Sequence, residues 1–244
     1  MNGATAGGGG RVPVTGATAG GVPVAELVRA VARTVPWRAL AAGGGLGLLI
    51  AAVPRLTGGD AGGWPALTAL RAGALAFALG AAFWLDDPAR HTTAVVPARR
   101  ALRHGLRLAL LAPVAALWWT AALLLVPRPL RPPAAGVTVE AATALALALT
   151  GAAFAVHRRE AARPGQAVAG FLLVTAVLAP LLCPEDWALF VTPEDESWAV
   201  AHDRWTVLLG ALLLAGALCL TEPARRYGRR GLRSPSGTSG PSRG

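Results

Sequence analysis

Arg71 and Glu140 each lie inside a long apolar run, where an ionisable side chain is rare and costly. A guanidinium and a carboxylate so placed can neutralise each other across two packed helices. The long arginine stem can instead carry its head to the surface, which is the more ordinary outcome. Two more carboxylates, Asp86 and Asp87, close an apolar run in FWLDDPARHTTAVVPARRALRHGLRLAL (83–110). Acids at a helix C-terminus oppose its dipole, so this pair needs a local reason. Asp87 before Pro88 supplies one, as an N-cap followed by a proline suited to the first helical position. Pro97 then starts a further segment, whose Arg99, Arg100, Arg103 and Arg107 are expected to hold it at headgroup level. A third group is PEDWALFVTPEDESWAVAHDRW (184–205), where Trp187, Phe190, Trp198 and Trp205 alternate with carboxylates. Such a segment suits a membrane interface, rings toward lipid and acids toward water. His91, His104, His157 and His202 are scattered without ligand spacing, so no metal, cofactor or catalytic residue is assigned.

The elements that must position these groups are apolar. The chain is 54% hydrophobic and 15% charged, against roughly 25% charge in soluble domains. Its charges are too few to clothe a globule, and they cluster between long apolar runs. An all-α, polytopic membrane protein is predicted, with six transmembrane helices at about 38–56, 64–86, 104–126, 137–157, 166–183 and 204–221. The net charge of +10 does not indicate nucleic-acid binding, because the arginines sit at span ends and not on one polar face. With the N-terminus placed in the cytoplasm, eighteen of the 23 basic residues, all of them arginine, fall on the cytoplasmic side. Both termini are therefore expected inside.

Outside the spans, three segments have distinct compositions. Residues 1–22 form a Gly-rich leader in which GATAGG occurs twice, at 3–8 and 16–21. Residues 23–37 (PVAELVRAVARTVPW) place Leu27, Val28, Val31 and Val35 at helical spacing, with Glu26, Arg29 and Arg33 on another face. An amphipathic helix on the cytoplasmic leaflet follows, ending at Pro36 and an interfacial Trp37. The spans occupy 38–221, and 222–244 is a basic tail of low complexity. Cys183 and Cys219 are expected at opposite ends of the bilayer, too far apart for a disulfide. Gly43 with Gly47, and Ala211 with Ala215, provide small faces for helix packing. Without a lysine, the chain has no Walker A phosphate loop of its own.

In this order the parts resemble the membrane (permease) subunit of ABC-2-type ABC transporters. That family combines a cytoplasmic amphipathic helix, six spans, an inner loop that docks on an ATPase, and an outer re-entrant segment between spans five and six. The wording FWLDDPAR…VPARRALRHGLRLAL and CPEDWALF…SWAVAHDRW is also similar to actinobacterial membrane proteins often labelled transporter-associated. The resemblance implies an exporter in a bacterial plasma membrane, working as a homodimer or heterodimer of membrane subunits with a separate P-loop ATPase. It implies a coupling loop at Asp86, Asp87, Pro88, Arg90, Arg99 and Arg100, and an outer segment carrying Trp187, Phe190 and Trp198. The residues themselves leave open a non-transport scaffold or accessory subunit, with a membrane enzyme a more distant third.

Overall fold

The computed structural model describes residues 26, 28–29, 32–33, 35–57, 63–86, 100–159, 165–184, 187 and 189–220. Among them the regular structure is helical: α1 (Trp37–Leu56), α2 (Gly63–Ala81), α3 (Arg100–Leu125), α4 (Ala134–Arg159), α5 (Gly165–Leu182) and α6 (Trp198–Leu220), with a 3-10 turn at Arg128–Leu130 before α4. Four of these, α1, α3, α4 and α5, are long and apolar enough to cross a membrane. The apolar part of α2 is shorter, Pro65–Ala81, and α6 carries His202, Asp203 and Arg204 in its first two turns. The sequence predicts a second span reaching residue 86, but the helix stops at Ala81 and residues 82–85 are turns.

Consecutive helices run antiparallel, and side chains tie their ends. At one end the indole Nε1 of Trp84 donates to the Arg107 carbonyl at 2.9 Å, and Trp37 meets Trp84 edge to face at 5.2 Å. At the other end Arg55 Nη2 reaches the Leu124 carbonyl at 3.4 Å. The central pair is α2 and α4, with α1 laid along α2, α6 along α4, α3 mainly against α1, and α5 mainly against α4.

The α1–α2 seam exists because side chains are missing. A Cβ on Gly43 would lie 2.5 Å from the Ala76 carbonyl, and one on Gly47 would lie 2.6 Å from the Gly73 carbonyl and from Trp118 Cζ2. Lipid tails are as apolar as leucine, so helices gain little from apolar burial against each other. Close backbone approach and polar bonds must hold them instead. Trp118 then fills the groove that the glycines leave, donating to the Gly44 carbonyl at 2.9 Å and stacking on Phe77 at 4.4 Å. The other small pair behaves differently: Ala211 and Ala215 are exposed.

Near the N-terminus, Glu26, Val28, Arg29, Ala32 and Arg33 are helical, with the three charged residues exposed, Val28 and Ala32 half-buried, and Val35 buried. The rest of 23–35, the leader and the tail lie outside the described residues. Arg107 is 5% exposed, so its side chain is packed into the base of α3. The free Cys183 and Cys219 are both half-buried, and Cys219 packs on the larger apolar cluster.

Candidate functional site

The chain's clearest polar site is at the Arg71 end, where α2, α4, α6 and the α5–α6 connection converge. Arg71, two turns into α2, meets Glu140, two turns into α4. Its Nε lies 2.6 Å from Glu140 Oε2 and its Nη2 lies 2.7 Å from Oε1. This is a two-pronged, charge-assisted pair. The Arg71 side chain is 19% exposed and that of Glu140 is 6%. Arg71 therefore does not snorkel, because a carboxylate waits across the seam and the connection closes over it. From that connection the Val191 carbonyl accepts a third bond from Arg71 Nη2 at 3.1 Å. The Phe190 ring sits 5.7 Å from the guanidinium carbon.

Local sequence explains how the connection is shaped. Cys183 Sγ–H points at the Trp187 carbonyl at 2.9 Å. Asp195 Oδ1 accepts from both the Ser197 hydroxyl (2.7 Å) and the Ser197 N–H (2.8 Å), a side-chain turn that launches α6 at Trp198. The Ser197 hydroxyl, and secondarily its N–H, hold the Asp195 carboxyl below the usual carboxylate range. Trp205 Nε1 donates to the Leu189 carbonyl at 2.9 Å, and its ring meets Phe190 at 5.6 Å. The aromatic residues thus divide their roles. Trp187 is exposed, under Arg204 at 5.3 Å; Phe190 is also exposed but lays its ring beside the Arg71 guanidinium, and the half-buried Trp205 supports Phe190 from α6.

His202 is the member that sequence reasoning missed. Its Nδ1 lies 2.8 Å from the Trp198 carbonyl, and a carbonyl only accepts, so Nδ1 carries the hydrogen. Its Nε2 is 3.1 Å from Glu140 Oε1, yet off the line of a hydrogen bond and otherwise without a partner. Proximity rather than a formed bond describes this contact. Gly136 makes room for it, since a Cβ there would lie 2.7 Å from Nε2 and 3.0 Å from Trp198 Cζ2. The available signal was the one-turn spacing of Trp198 and His202, but nothing in the sequence placed them beside Glu140. A buried carboxylate with a part-buried guanidinium and imidazole beside it, on three helices, can crosslink those helices. Among the described residues no group of three acidic, histidine or cysteine side chains converges for a metal.

At the opposite end, Asp86 Oδ1 accepts from the Gly165 N–H at 2.9 Å. Asp86 is therefore aligned with the start of α5, where a carboxylate is favourable, and its position beyond the end of α2 needs no further reason. Gly165 admits it closely, since a Cβ there would lie 2.5 Å from the Phe83 ring. Arg100 is the first residue of α3. Asp87, Pro88, Arg90 and Arg99 lie outside the described residues. The structure brings Arg71, Glu140 and Phe190 together with His202, and it leaves Trp187 apart from them.

No protein-family model, no curated protein and no solved structure matches this chain.

Proposed function

We propose that this chain is the membrane-spanning permease subunit of an ATP-driven exporter of the ABC-2 type. In this reading all six helices cross a bacterial plasma membrane with both termini in the cytoplasm, and a dimer of membrane subunits encloses the path. A separate P-loop ATPase supplies energy, docking on the 86–103 loop through Asp87, Pro88, Arg90, Arg99 and Arg100. The observation that carries the reading is the return of the α5–α6 connection onto the Arg71–Glu140 pair. A path that opens outward needs an external closure that releases as a unit. A segment tied to one ion pair by a single hydrogen bond and a ring contact has that property.

A scaffold or accessory subunit is the second reading. The exposed apolar residues of α5, among them Phe171, Val174, Val177, Leu178 and Leu181, favour it, because such a face can seat another subunit as well as lipid.

Affinity purification from membranes, with the P-loop ATPase sought by mass spectrometry, separates the two. The permease reading expects a stoichiometric ATPase, no ATP turnover by the chain alone, and reporter fusions at the C-terminus and at 184–197 on opposite sides. Asp87→Ala should leave membrane abundance intact and weaken ATPase co-purification. If no ATPase accompanies the chain, or if Asp87→Ala lowers abundance alone, docking at this loop is wrong and the scaffold reading replaces it.

A further inference from the structure

A cleft of about 160 Å³ opens sideways between α3 and α4, floored by Ala74 and Phe77 of α2 and walled by Ala116, Trp119, Ala142 and Leu145. Its lining is apolar except at one rim, where Trp119 Nε1 donates to the Thr138 hydroxyl at 2.9 Å. At roughly 30 Å³ for a water-sized group, it holds a length of acyl chain and not a whole tail. Its depth fits one leaflet. Thr138 and Leu145 lie four and eleven residues beyond Ala134, hence about 6 and 17 Å below the start of α4 at 1.5 Å per residue. The hydrocarbon of one leaflet is about 15 Å thick.

Directly above is the α3–α4 connection PRPLRPP (127–133), stiffened by four prolines. Its Leu130 packs on the same small core as Trp118 and Trp119. Arg128 is exposed. Arg131 donates from Nη2 to the Val126 carbonyl at 3.0 Å, while its Nε is buried without a partner. The connection that leads into α4 thus carries one exposed and one half-buried cation above an apolar slot. We infer that cleft and connection together bind an anionic glycerophospholipid of the leaflet at the Arg71 end. Its phosphate sits at Arg128 and Arg131, and one acyl chain enters between α3 and α4. The site requires a bilayer but not an ATPase, so it stands or falls apart from the permease reading.

Brominated acyl chains quench nearby indoles, which gives the test. The full chain is placed in phosphatidylcholine nanodiscs containing a minor fraction of brominated phosphatidylglycerol or, in parallel, brominated phosphatidylcholine. The Trp119 signal is obtained by subtracting the Trp119→Phe chain. Each arginine near the surface favours an anionic lipid by about fivefold. Brominated phosphatidylglycerol should therefore quench Trp119 at several-fold lower mole fraction than brominated phosphatidylcholine. Arg128→Gln with Arg131→Gln should erase that preference while leaving the phosphatidylcholine curve unchanged. Ala116→Phe, which fills the slot from its exposed wall, should weaken quenching by both lipids. Equal quenching by the two lipids, or a preference that survives the arginine replacements, overturns the site. Circular dichroism on each variant verifies that the helices remain.

Discussion

The α1–α2 seam and the Arg71–Glu140 joint solve one problem by opposite means. Both bring helices together where the surrounding lipid provides no hydrophobic drive. The seam removes side chains, so that Gly43 and Gly47 lie against the backbone at Gly73, Ala76 and Gly80. The joint adds ionisable groups, which must then be matched across α2, α4, α6 and the α5–α6 connection. A seam of glycines has no partner to lose and tolerates nothing larger. A polar joint is exposed to every change in its partners, and so it can be released. The first region is limited by space and the second by the matching of its partners.

The largest effect tests that division directly. Glu140→Leu takes the carboxylate from a part-buried guanidinium and should cost about 3 kcal/mol, the low end for breaking a buried pair, as measured by unfolding in detergent or bicelles. Arg71→Leu combined with Glu140→Leu should recover most of that loss, since a well-packed apolar pair often equals a buried ion pair. Hydrogen exchange at 189–192 should nevertheless stay fast in the double variant, because the Val191 carbonyl has lost its donor. If exchange there returns to the wild-type rate, the ion pair does not hold the connection.

Gly47→Ala comes next. Its Cβ would meet a backbone carbonyl and the Trp118 ring, and overpacking of this kind costs about 1–3 kcal/mol. Adding Trp118→Phe should relieve part of the cost, and only the part due to the ring. An Ala that is neutral at position 47 would mean the seam is looser than the backbone contacts require.

Asp86→Ala removes the acceptor of the Gly165 N–H and should cost about 0.5–2 kcal/mol, with Asp86→Asn restoring much of it. A loss confined to the start of α5, read by exchange at 165–168, sharpens the contrast between the two ends of the bundle. Uniform destabilisation would instead assign Asp86 to the core.

The smallest effect concerns Asp195. Its carboxyl titrates below the usual carboxylate range in the folded chain. Its contribution is therefore present above the unfolded carboxylate value and is lost as pH falls through the folded one. Protection of the Ser197 amide should drop in that acid window, and Asp195→Asn should flatten the profile. An unchanged profile in the asparagine variant would place the titration elsewhere.

Much of the fold was legible because periodic apolar runs are local. Six runs are expected, and each coincides with a helix; among the described residues four of these helices are long and apolar enough to cross a membrane. The error at 82–86 arose because FWLD reads as apolar continuation, while the backbone turns there to send Trp84 to the Arg107 carbonyl and Asp86 to Gly165. Arg107 carries a related lesson: an arginine at a span end reads as an open side chain, and only packing reveals that this one is buried.

By itself the sequence determined that the chain is apolar and helical, how many apolar runs it has, and that Arg71, Glu140 and the aromatic-acidic connection are unusual. Those properties depend on residues near each other in the chain. Tertiary structure alone decided which of them meet. Arg71 and Glu140 are 69 residues apart, and Arg71 and Val191 are 120 apart. No local pattern records which helix faces which. Gly43 and Gly47 rather than Ala211 and Ala215 became the close seam, because only the former found small residues opposite. His202 joined the polar site because Gly136 left room for its ring.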